Sequence, residues 1–98
     1  MDLRCEATNQ LFDTILRLET LEDCYRFFED LCTIRELRDL SQRYQIASLL
    51  SKGLNYQTIV RQTEASTTTI SRVNQCLNYG TGGYRDALEK QAAGRNEE

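Results

Sequence analysis

The sequence predicts an all-α chain of six helices joined by short turns. Three observations carry that expectation. Proline is absent from the 98 residues, which removes the strongest helix breaker and leaves glycine as the punctuation. Apolar side chains recur every three or four residues rather than alternating. Good N-capping residues stand directly before the stripes: Thr20, Thr33, Asn55 and Ser66.

The first helix is placed roughly within Ala7–Glu19, on the stripe Leu11, Phe12, Ile15, Leu16 and Leu18. Thr20 caps the second, whose first turn carries Glu22 and Asp23, carboxylates that favour the positive end of the helix dipole. Its apolar face is Leu21, Cys24, Tyr25, Phe27, Phe28 and Leu31. Thr33 followed three residues later by Glu36 makes a capping box for a third helix, Ile34 to Ser51, on Ile34, Leu37, Leu40, Tyr44, Ala47 and Leu50, widened by Ile46 and Leu49. Gly53 supplies the left-handed residue that stops it. Asn55 caps a short fourth helix, Tyr56–Thr63; Glu64 and Ala65 turn the chain; Ser66 caps a fifth, Thr67–Leu77. Residues 78–83 hold three glycines and read as a loop before a last helix, Tyr84–Ala92, with a frayed tail at 94–98.

A chain of this length forms one small domain, assigned here to residues 1–93, and as a monomer it buries too little surface for more than marginal stability. The first two helices are rich in large apolar side chains. The fourth and fifth are polar outside their Ile and Val positions and offer little core, which favours two chains sharing residues 1–51 as dimerisation helices. No apolar run approaches the roughly 18 residues of a membrane span, and the N-terminus lacks the basic and apolar stretches of a signal peptide. The four cysteines show no Cys-x-x-Cys pair and there is no histidine, so no metal site is expected. Reduced thiols in a cytoplasmic protein are expected, with Cys24 and Cys76 packed as small hydrophobes.

The formal charge of −3 conceals segregation. Residues 1–40 carry ten acidic and five basic side chains, whereas residues 41–85 carry Arg43, Lys52, Arg61, Arg72 and Arg85 against Glu64 alone. A basic middle on an acidic protein is the asymmetry of a surface that meets a polyanion.

Residues 55–77 explain that asymmetry as a helix-turn-helix. Such a motif needs a short helix, a tight turn and a second helix packed across the first, with its leading turns projecting into a groove about 12 Å wide. Ile59, Ala65, Ile70, Val73 and Leu77 have the spacing of the inward positions. Ser66, Thr67, Thr68, Thr69 and Ser71 are short hydroxyl side chains that let a helix approach base edges, and threonine methyls fit thymine methyls. Arg61 and Arg72 reach phosphates or guanine edges, and Gln57 sits where the first helix meets the backbone. Glu64 stands where such turns usually carry glycine, and Val60 where alanine usually allows close approach.

The segment "LLSKGLNYQTIVRQTEASTTTISRVNQCLNYG", followed by "GGY", resembles the tryptophan repressor superfamily, especially its YerC/YecD-type branch. The resemblance runs over roughly residues 8–90. It implies a TrpR-like six-helix fold in which two chains intertwine their N-terminal helices as a homodimer and present the fourth and fifth helices to double-stranded DNA. Position by position, Gln57, Thr67, Thr68, Thr69 and Ser71 match places where tryptophan repressors meet DNA, and Arg72 matches an arginine of the corepressor pocket. Arg43 corresponds to the second pocket arginine with a slip of one residue. Val73 stands where those repressors have glycine beside the bound indole, so its side chain occupies space the ring needs. No cofactor is therefore expected, tryptophan included, and any small-molecule effector is unspecified.

Other classes fit less well. Without histidine, acid–base catalysis needs a carboxylate, thiol, lysine or tyrosine in a pocket, and no constellation suggests one, so the chain is not expected to be an enzyme. The glycines of 80–83 lack phosphate-loop spacing. An adaptor without specific DNA binding, its apolar groove formed by Tyr25, Phe27, Phe28 and Tyr44, is the alternative. Salt separates the two, because phosphate contacts weaken steeply as salt rises and an apolar groove does not.

Overall fold

A computed structural model describes residues 3–97 and contains six α-helices and, among those residues, no strand. They are α1 (Glu6–Leu16), α2 (Leu21–Leu31), α3 (Ile34–Ser51), α4 (Tyr56–Thr63), α5 (Thr67–Tyr79) and α6 (Gly83–Glu97). The caps form as the residue types dictate. Thr20 Oγ1 accepts from the Asp23 N–H at 3.0 Å, and Asn55 Oδ1 from Thr58 at 2.9 Å. Thr33 and Glu36 close a reciprocal box at 2.9 and 3.1 Å, satisfying two N–H groups that the helix leaves without partners. Gly53 takes φ +86 after α3.

Three boundaries differ from expectation. Helix α1 ends at Leu16, short of Glu19, and α5 continues past Leu77 to Tyr79. Helix α5 stops at Gly80, a position that takes only glycine because a Cβ there would collide with the carbonyl of Cys76, one turn back. Helix α6 runs through Gly94 to Glu97 rather than ending at Ala92. A single glycine costs a helix only about 1 kcal/mol relative to alanine, too little to end it. The frayed tail expected at 94–98 is thus helical to Glu97, and residue 98 lies outside the described residues.

The described chain divides into two compact units, the first ending at Leu37 and the second beginning at Arg38. In the first, α1 and α2 bury no residue fully. Phe12, Leu16, Leu21, Tyr25 and Leu31 are exposed, Leu16 by 82% and Leu21 by 74%, while Phe27 and Phe28 meet edge to face at 5.5 Å. The second unit holds the core: Ile46, Ala47, Ile59, Ala65, Ile70 and Val73, flanked by Leu49, Leu50, Leu54, Tyr56, Val60, Tyr84 and Leu88. The expectation that α4 and α5 contribute little core is therefore reversed. Their isoleucine, valine and leucine side chains, with Ala65 between them, are all buried or half-buried. Ile46, Ile59 and Ile70 are completely enclosed, each worth roughly 1.5–3 kcal/mol of transfer free energy. Cys76, expected to pack, is exposed, and Cys24 is half-buried.

Candidate nucleic-acid interface

Helices α4 and α5 form the expected hairpin. Ile59 from α4, Ala65 from the turn, and Ile70, Val73 and Leu77 from α5 are all buried, as their spacing requires. Glu64 ends α4 in the left-handed conformation, φ 60, and its N–H reaches Val60 O at 2.8 Å. This is the conformation that glycine usually supplies at a helix C-terminus. Ser66 then caps α5, accepting from the Thr69 N–H at 3.1 Å.

With that inner face fixed, helical geometry determines the outer one. Thr68, Ser71 and Arg72 are exposed and fall at i, i+3 and i+4. Gln75, at i+7, is exposed on the same stripe and was not among the sequence-predicted residues, although the spacing alone was enough to find it. Thr67 is exposed in the first turn, and Ser66 is exposed but committed as the cap. Thr69 is half-buried, its hydroxyl 3.1 Å from that of Ser66, so it supports the cap rather than the open face. Gln57 and Arg61 are exposed on α4, where Arg61 Nη2 makes a long 3.4 Å contact with Thr58 Oγ1.

Arg43 and Arg72, paired in expectation as effector ligands, are both exposed. Val73 is 2% exposed and belongs to the packed core. Arg85, counted with the basic middle, has a structural task. Its Nε donates to Leu77 O at 3.1 Å and its Nη2 to Asn78 Oδ1 at 2.8 Å, which places a positive charge at the C-terminal end of α5. Of the aromatic residues weighed for an adaptor groove, Tyr25, Phe27 and Phe28 lie in the first unit and Tyr44 in the second, where its hydroxyl donates to Gln91 Oε1 at 3.1 Å. No helix among the described residues is long and apolar enough to cross a membrane.

Sequence reasoning also missed the residues that hold the turn. Gln42, on α3, donates from Nε2 to Thr63 O at 3.0 Å. The Thr63 hydroxyl donates to Ile59 O at 2.7 Å and accepts from the Ala65 N–H at 3.2 Å. A tie across 21 residues leaves no periodic trace in the sequence.

Comparison with known proteins places this geometry among relatives. The family model described as "Trp repressor protein" matches residues 6–92. The "Uncharacterized protein YerC" of Bacillus subtilis (strain 168) is 52% identical over 88 residues, which span 90% of this chain and 85% of that protein. The crystal structure of a TrpR-like protein from Eubacterium eligens ATCC 27750 superposes with a TM-score of 0.89 at 48% identity, covering 92% of this chain and 93% of that one. A Staphylococcus aureus structure gives 0.89 at 47% identity, covering 92% and 90%.

Proposed function

Because this chain belongs to the Trp repressor protein family, as a YerC-type TrpR-like member, we propose that it is a sequence-specific DNA-binding repressor of transcription acting as a homodimer. The observation that carries the reading is the solvent-facing stripe Thr68, Ser71, Arg72 and Gln75 on a capped helix whose opposite face is locked into the core. Arg61 and Arg72 supply phosphate and guanine contacts, Gln57 and Thr67 flank them, and Thr68 and Ser71 supply sequence preference. The exposed apolar faces of α1 and α2 are the surface a second copy covers, and the two reader helices then meet successive major grooves about 34 Å apart. The protein works in the cytoplasm as a binding protein rather than an enzyme.

Val73 supports the further reading that tryptophan is not the corepressor. Selection from a random oligonucleotide pool at a stated salt concentration tests the whole proposal. A two-fold-symmetric motif should be enriched, and adding tryptophan should leave the affinity unchanged. Thr68→Glu puts a bulky anion on the reader face and should abolish binding while the circular dichroism melt is retained. Undiminished binding by that variant would mean that α5 is not the reader.

A further inference from the structure

The ties that hold the turn between α4 and α5 do more than satisfy the main chain. Thr63 is the last residue of α4, so its carbonyl is among those the helix leaves without an internal partner. A carbonyl oxygen only accepts, so the amide nitrogen of Gln42 must face it. The Thr63 hydroxyl bridges Ile59 O and Ala65 N–H across the same turn. Four residues beyond Gln42, α3 buries Ile46 completely, so the tie starts from a firmly packed stretch of helix. Each of these bonds has one end on Thr63, the residue from which the chain enters the turn toward α5.

We infer that Gln42 is a positioning residue for DNA recognition: through Thr63 it sets the angle of α5 and hence the placement of Thr68, Ser71, Arg72 and Gln75 over base edges. The inference rests on the DNA-binding reading above. Phosphate contacts are long-ranged and survive a small rotation of the helix, whereas base-edge hydrogen bonds and methyl contacts do not. Loss of the tie therefore removes discrimination first and leaves non-specific affinity in place.

The test measures the full-length chain on its best selected duplex and on a scrambled one, at a temperature where each variant is folded by circular dichroism. Gln42→Met keeps the length of the side chain and deletes the donor. It should bind the selected site about tenfold more weakly and the scrambled duplex within about twofold, with the same salt slope. Without DNA, amide exchange should rise at Glu64–Thr67. Thr63→Val removes the hydroxyl bridge over the same turn and should reproduce the loss, with Thr63→Ser restoring discrimination. Because Gln42 bonds the Thr63 main chain, Gln42→Glu, of the same length but without the amide donor, decides if Gln42→Met does not fold. Equal losses on both duplexes, following thermal stability, would reduce Gln42 to a structural role, and unaltered discrimination would overturn the inference. A wild-type chain that selects no motif defeats the DNA reading itself, an outcome distinct from a selective wild type with equally selective variants.

Discussion

Glu64 is the one non-glycine residue with positive φ among the described residues, and it sits at the pivot of the helix-turn-helix. An L side chain in that conformation costs roughly 1–2 kcal/mol, part of which glycine returns through its freer unfolded chain. Glu64→Gly is therefore expected to stabilise the fold by about 1 kcal/mol, read as a raised denaturant midpoint at unchanged slope. The side chain is exposed, so no packing is lost. Thr69 carries a different lesson at this scale. Its hydroxyl chemistry suits a groove, but its position three residues after the cap turns it toward Ser66.

Among the elements, α5 depends most on its ends. Its cap, Ser66, satisfies the Thr69 N–H, and Ser66→Ala should cost about 1 kcal/mol in chemical denaturation. Helix α3 depends on pH at its start. The Thr33 N–H foremost, and then the Thr33 hydroxyl, hold the Glu36 carboxyl below its ordinary 4.5. A carboxyl lowered in the folded state contributes stability that is present above 4.5 and is lost as the pH falls through the lowered value. Acidification below 4.5 should therefore loosen the first turn of α3, seen as faster exchange of the Thr33 amide. Glu36→Gln should remove that dependence.

For the whole molecule, the contrast between the units decides what must be added to make it stable. The second unit encloses a core, whereas the first leaves large apolar side chains in solvent, more than a monomer ordinarily tolerates. A homodimer that covers them makes the melting temperature depend on protein concentration, so dilution should lower it and sedimentation equilibrium should report two chains. A concentration-independent melt with a single chain in the cell would exclude the dimer. Charge segregation sets the other global property. Binding should weaken steeply with salt, and Arg61→Ala should reduce the slope of log affinity against log salt by about one per subunit.

The chain alone determined the helices, the N-terminal caps of α2 to α5 and the inward face of α4 and α5, because capping and 3.6-residue periodicity are local rules written in residue type and spacing. The exposed stripe followed from the same period. The stops of α5 and α6 were less legible, since a helix end reflects contacts such as Arg85 on Leu77 as much as local propensity. Only the tertiary structure decided that the core lies at the hairpin, that Cys76 faces solvent, and that Gln42 reaches Thr63. Those outcomes join residues distant in sequence, and the free energy that selects them comes from burial and bonding between elements that no local pattern encodes.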